Sequence, residues 1–172
     1  MDINTRLDRI ISDPVFTRNL TLLRYFSNRF ICPLVDTVLD RFCSQTLLQI
    51  HYKIDWLNLE SLSMERILLA AADYPNLHNL GLYNVDKKTA ESVFAGGLFK
   101  CVYEVSLFDD RPFEHEFFVR IAQAFPLLKK LSMINRTPQN QRTKNNNEYL
   151  SIIEYLHLIE LDFLDVNDDY LE

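Results

Sequence analysis

The residues able to do chemistry are few and scattered. Four histidines occur, His51, His78, His115 and His157, and no two form a metal-binding pair. His115, in "EHEFF", lacks the second histidine that a zinc-binding helix needs; it is expected on a solvated helix face. His51 holds a core-leading position and is expected to be packed. The acidic pairs Asp109-Asp110 and Asp168-Asp169 fall at expected turns and helix starts, where capping accounts for them without acid–base catalysis. Cys32, Cys43 and Cys101 have no basic or histidine neighbour beyond Arg41 and Lys100, so no activated thiol is nominated. With only three glycines there is no phosphate-cradling loop, and neither Gly-x-Ser-x-Gly nor a dinucleotide fingerprint occurs. These residues nominate no catalytic site, metal or cofactor, so the chain is read as a non-enzyme whose function lies in a surface.

The totals bound that surface. A chain of 172 residues, 48% hydrophobic and 24% charged, is long enough for a domain with a sizeable core. The net charge of −6 argues against a nucleic-acid binder, which would carry a basic face. Three cysteines, an odd number with no Cys-x-x-Cys, favour free thiols in a reducing compartment, cytoplasmic or nuclear. The start "MDINTRLDRIISDP" has the acidic residues a signal peptide lacks. No run approaches the roughly twenty apolar residues of a membrane span, so no membrane partner is expected. The sequons at Asn19 and Asn135 are therefore expected to stay bare.

Any site must be positioned by elements, and these are legible as a repeat. In "YPNLHNLGLYNV" an aromatic ring is followed by leucines at steps of three, three and two: Tyr74, Leu77, Leu80, Leu82. The same offsets recur as Phe99, Val102, Val105, Leu107; as Phe125, Leu128, Leu131, Met133; as Tyr155, Leu158, Leu161, Phe163; and as His51, Ile54, Leu57, Leu59. Counted from Ile54 to Leu77, Val102, Leu128 and Leu158, the copies are spaced by 23, 25, 26 and 30 residues. A weaker copy in "TRNLTLL" puts Leu20 and Leu22 in a strand. The step of two is a strand's period; between copies the period becomes helical.

In "SMERILLAAADYP" Met64, Ile67, Leu68 and Ala71 share a face, with Ser63 as the expected N-cap. In "DKKTAESVFAGG" Asp86 caps, Ala90, Val93 and Phe94 face inward, and Gly96-Gly97 stop the helix. In "RPFEHEFFVRIAQAFP" Pro112 suits the first helical position, and Phe113, Phe117, Ile121 and Phe125 align. Earlier, "PLVDTVLDRFCSQTLL" aligns Leu34, Val35, Val38, Leu39 and Phe42. The expected unit is strand, turn, helix, turn. Consecutive strands would pair in parallel, and their inward aliphatic residues would meet the helices.

The pattern Leu77-x-x-Leu80-x-Leu82 and its copies resembles the leucine-rich repeat over about residues 50 to 166. The ninth position, often asparagine or cysteine in that family, is Leu62, Val85, Asp110, Arg136 and Val166 here, so the usual asparagine ladder is not expected to hold the turns. The resemblance implies an α/β solenoid with a short parallel sheet, helices on one side and an N-terminal helical cap. Residues 1–49 would form the cap and irregular first repeat; residues 50–172 would carry degenerate repeats with a long loop at 135–148. A narrower likeness joins "INTRLDRIISDP", "NLESLSMERILLAAADYPNLHNLGLYNV" and "LSIIEYLHLIELDFLDVNDDYLE" to proteins that couple an F-box to degenerate leucine-rich repeats. It implies a non-catalytic substrate adaptor of a cullin-based ubiquitin ligase. The first of these stretches is similar only to the segment closing an F-box, so the linker subunit of the ligase is an expected partner only if an F-box lies upstream. The alternative is a stand-alone or truncated repeat scaffold with no ligase role.

Alternation then places a protein-binding face. After the last aliphatic residue of each strand come Glu60, Tyr83, Phe108, Ile134 and Leu164, expected to point away from the helices. Four of these strands span a stripe of about 15 Å. Two residues earlier stand Asn58, Gly81, Ser106, Ser132 and Asp162, and two earlier again Trp56, Asn79, Glu104, Lys130 and Glu160. A greasy row beside a polar row is the composition of an interface. The polar loop "NRTPQNQRTKNNNE", with Arg142 and Lys144, is expected to be a mobile insertion. The strand at 159 to 164 is expected to leave an uncovered edge, and Asp168-Asp169 to start a further helix.

Overall fold

A computed structural model describes residues 13–25, 31–71, 73–95, 99–138 and 152–167. It is an α/β structure built on a six-stranded parallel sheet, with no closed barrel. The strands are β1 (Asn19–Leu22), β4 (Trp56–Glu60), β5 (Asn79–Tyr83), β6 (Glu104–Phe108), β7 (Lys130–Asn135) and β8 (Glu160–Val166), side by side in chain order. A small antiparallel pair, β2 (Arg24–Tyr25) with β3 (Ile31–Cys32), stands apart from it. Parallel neighbours need a crossover, and three of the crossovers are α-helices. They are α4 (Ser61–Ala70), α5 (Lys87–Phe94) and α6 (His115–Ala124).

The register repeats without slip from β1 to Met133. Leu20, Leu57, Leu80, Val105, Leu131 and Leu161 form one column, and Leu22, Leu59, Leu82, Leu107, Met133 and Phe163 the next. Leu57, Leu80, Val105 and Leu131 are fully buried against Met64, Ile67 and Leu68 of α4, Ala90, Val93 and Phe94 of α5, and Ile121 and Ala124 of α6. The leading rings Tyr74, Phe99 and Phe125 are buried as expected, with Phe94, Phe99 and Phe125 packed ring on ring. His51, in the same position, is half-buried, edge-on to Tyr74.

The entry to each strand is tied in the same way. One carbonyl accepts the next two amides of the neighbouring strand. Arg18 takes those of Asp55 and Trp56, and Asp55 those of His78 and Asn79. His78 takes those of Tyr103 and Glu104, Tyr103 those of Lys129 and Lys130, and Lys129 those of Ile159 and Glu160, all at 2.8–3.1 Å. This ladder uses only main-chain atoms, so five unlike residues can occupy the position.

Several local expectations need correction. The helix expected to be capped by Ser63 begins at Ser61, because the Glu60 carboxylate accepts from the amides of Leu62 and Ser63 at 2.8 and 2.6 Å. Pro112 does not open a helix; α6 starts at His115 after Glu114. Phe113 instead stacks on Phe117 at 4.7 Å. After a short helix α1 (Pro14–Thr17), the early helical run starts as α2 (Asp36–Arg41), rewinds into wider π turns over Phe42–Leu47, then into α3 (Leu48–Ile50) and a 3-10 turn at His51–Lys53. Across this run Leu39, Leu47 and Ile50 are buried while Val35 and Val38 stay exposed. His115, expected on a solvated face, is half-buried. Asp86 does cap α5, accepting from the Thr89 amide at 2.9 Å. Gly96-Gly97, the segment 139–148 with Arg142 and Lys144, and Asp168-Asp169 lie outside the described residues.

Candidate functional site: the open face of the sheet

Residues at alternate strand positions to the core columns form the face that no helix among the described residues buries. Its first row is Asn19, Trp56, Asn79, Glu104, Lys130 and Glu160, paired in that order across the sheet. Trp56 is 37% exposed, and its indole donates to Asn58 Oδ1 at 3.0 Å. Asn58 passes the bond on, donating to Thr21 Oγ1 at 3.0 Å. The Arg-free middle row is Thr21, Asn58, Gly81, Ser106, Ser132 and Asp162. Gly81 is required there: a Cβ would stand 2.0 Å from Asn58 Oδ1.

The third row is where the face departs from expectation. Tyr83 and Phe108, both half-buried, stack with centroids 4.4 Å apart and planes 8° apart. Burial pushes the Tyr83 hydroxyl up from its usual pKa, and Tyr25 adds to this. Ile134 continues the row. Glu60 does not join the open face: it is 4% exposed, its carboxylate turned into the α4 N-terminus, where backbone amides satisfy it. Leu164 is out of line as well. The register shifts between Met133 and Ile134, and Ile134 pairs with Asp165. Asp165, ion-paired with Arg136, takes the place expected for Leu164, which is 63% exposed.

Charge on the face is uneven. Lys130 Nζ lies 2.6 Å from Glu160 Oε1 and 2.9 Å from Asp162 Oδ2. The shared ammonium holds the Asp162 carboxyl below its usual range, and the two carboxylates raise Lys130. Among the described residues no ion pair neutralises Glu104, half-buried in the same row.

The rim at the strand entries carries contacts the sequence did not signal. Arg18 Nε bonds Asp55 Oδ2 at 2.9 Å, and Asp55 Oδ1 lies 2.7 Å from His78 Nδ1. His78 stacks on Tyr103, and Lys129 Nζ sits over that ring. The far rim holds the turns through residues one place before the position where asparagine was sought. Buried Asp109 accepts from the Arg111 amide at 2.8 Å. Buried Asn135 accepts from the Thr137 amide at 2.9 Å and donates to the Arg111 carbonyl at 2.5 Å. Asn84 at the same place has φ 54°, a left-handed conformation asparagine tolerates. Asn135 is thus a packed turn residue, closed to glycan attachment.

Among the described residues, no group of three or more His, Cys, Asp or Glu is placed to hold a metal ion, and no helix is long and apolar enough to cross a membrane. No family model, curated protein or solved structure matches this chain.

Proposed function

We propose that the chain is a leucine-rich-repeat-type solenoid acting as a non-catalytic protein-recognition module, the substrate-binding part of an F-box-type adaptor of a cullin-based ubiquitin ligase. The observation that supports recognition is the Tyr83–Phe108 stack on a sheet face that no helix among the described residues covers. Large rings held side by side beside a polar row are suited to anchoring a partner, because they lose little side-chain freedom on binding. The ligase role rests on the likeness of the quoted segments to F-box proteins with degenerate repeats. The mechanism is scaffolding: a target held on the face is kept near a ubiquitin-loading enzyme, with no covalent step on this chain.

The test has two arms. Tyr83→Asp with Phe108→Asp is expected to leave the thermal transition nearly in place while abolishing partner capture in cross-linking from cell extract. Loss of the transition would make the rings part of the core. Retention of the purified cullin-linker subunit by the chain supports the adaptor role. Absence of retention favours a stand-alone scaffold.

A further inference from the structure

On the helix side of the sheet, a cavity of about 190 Å³ opens between α5 and α6, with Val85, Ala90, Phe113 and Phe117 at its base. We infer that it binds a free apolar α-amino acid, aromatic or branched, with the side chain in the cavity and the two charged groups at its mouth. The site lies away from the open face, so the inference goes beyond the recognition reading and does not depend on it.

The cavity follows from one short side chain. Ala90 is the smallest apolar residue on the buried face of α5, where Val93 and Phe94 fill the space further along. Its methyl leaves room beside Phe113 and Phe117, whose rings stack on each other at 4.7 Å and form a fixed wall. The four side chains at the base are apolar and buried below the charged rim, and none offers a hydrogen-bonding group. An apolar cavity of roughly 150 Å³ holds one benzene ring, so a single phenyl or branched aliphatic side chain fits here.

The rim selects the rest of the ligand. Lys87 Nζ meets Glu116 Oε2 at 2.7 Å and Arg120 Nη2 meets Glu91 Oε1 at 3.2 Å, so two ion pairs cross from α5 to α6. Lys87, Glu116 and Arg120 line the mouth. The bond between Lys87 and Glu116 raises the pKa of the first and lowers that of the second, so both are charged at neutral pH. Neither is saturated, because an ammonium has three donors and a carboxylate about four acceptor sites. A ligand carboxylate can take a second donor of Lys87 while the ligand ammonium takes the other oxygen of Glu116. Neither protein charge then loses its partner, whereas a ligand with one charge leaves half of the arrangement unmade. An α-amino acid carries both charges on the carbon that bears its side chain, which suits a charged pair above an apolar cavity. A residue inside a peptide carries neither charge and a terminal residue only one, so the rim favours the free amino acid.

The experiment is a titration of the purified chain with L-phenylalanine and L-leucine, followed by backbone amide NMR shifts. Saturable binding that moves the amides of Val85, Ala90 and Phe117, and is lost in Ala90→Leu, which fills the cavity, supports the inference. So does binding about fivefold weaker for phenethylamine and for hydrocinnamate, each lacking one charge, which is the scale of one exposed ion pair. Lys87→Gln with Glu116→Gln is expected to remove that difference among the three aromatic ligands. The thermal transition of each variant reports folding; should Ala90→Leu lose it, the variant at Lys87 and Glu116 decides alone. Absence of saturable binding up to about 10 mM, where even a weak ligand fills its site, overturns the inference. So do shifts spread away from the cavity, or hydrocinnamate binding as tightly as the amino acid. Phenethylamine binding as tightly or more so would show that the carboxylates of the wall, Glu114 among them, select a cation, and also overturns it.

Discussion

At Gly81 the face is decided by one missing methyl. A Cβ there would lie 2.0 Å from Asn58 Oδ1 and 3.1 Å from its Cγ. The amide cannot swing aside freely, because it holds both the Trp56 indole and the Thr21 hydroxyl. In an open strand, alanine would be favoured over glycine. Here Gly81→Ala is expected to cost about 1–2 kcal/mol, the scale of losing two neutral hydrogen bonds. Shortening the neighbour in Asn58→Ser with Gly81→Ala should recover most of that loss. Urea unfolding of the four proteins measures the coupling, and simple additivity would falsify the contact. The identity of Gly81 as a face residue was legible from alternation alone. Its partner was not, because nothing in the spacing says that the Asn58 side chain lies across two strands. The turn residues Asp109 and Asn135 were missed for another reason. The leucine-rich-repeat pattern points to the ninth position, whereas the chain satisfies its turn one residue sooner.

Among the elements, α5 shows how one carboxylate can fasten two strand–helix units. Asp86 accepts from the Thr89 amide and hydroxyl, and from Ser61 Oγ at 2.5 Å, the first residue of α4. Burial pushes its pKa up, but the bonds from Ser61 and Thr89 outweigh that and bring it down to about 2. A lowered carboxylate stabilises the fold above its unfolded value and loses that contribution as pH falls through its folded one. Acidification from about pH 4 towards pH 2 should therefore lower the melting temperature. Asp86→Asn keeps the cap and should flatten that part of the profile, while Asp86→Ala should cost about 1 kcal/mol at neutral pH. Helix faces were readable from period wherever the winding is regular, as in α4 to α6. In the run from Asp36 the π turns over Phe42–Leu47 break the helical angle only beyond Arg41; before them Val35, extended ahead of the helix, and Val38 are exposed although the period sets them beside buried Leu39. The start of α4 is not legible in the sequence because glutamate is an uncommon cap and strand alternation places Glu60 on the open face.

Across the whole molecule, burial is graded. The inward column is sealed from Leu57 to Leu131, then opens at β8, where Leu161 is 47% and Phe163 36% exposed. The register of β8 was legible from the recurring offsets up to the shift at Met133; the shift itself leaves no mark in the pattern of apolar residues. An edge strand with exposed apolar side chains invites pairing with another chain. At micromolar concentration the chain is expected to self-associate in sedimentation, and Phe163→Lys to reduce the association. A clean monomer for both proteins would show the edge to be inert. The carbonyl that receives two amides at each strand entry gives this gradient a time course. Every such pair leans on the strand before it, so deuterium should enter first at Ile159 and Glu160. It should then reach Lys129 and Lys130, and last the pairs His78–Asn79 and Tyr103–Glu104, as a wave of fraying that runs inward from one side of the fold.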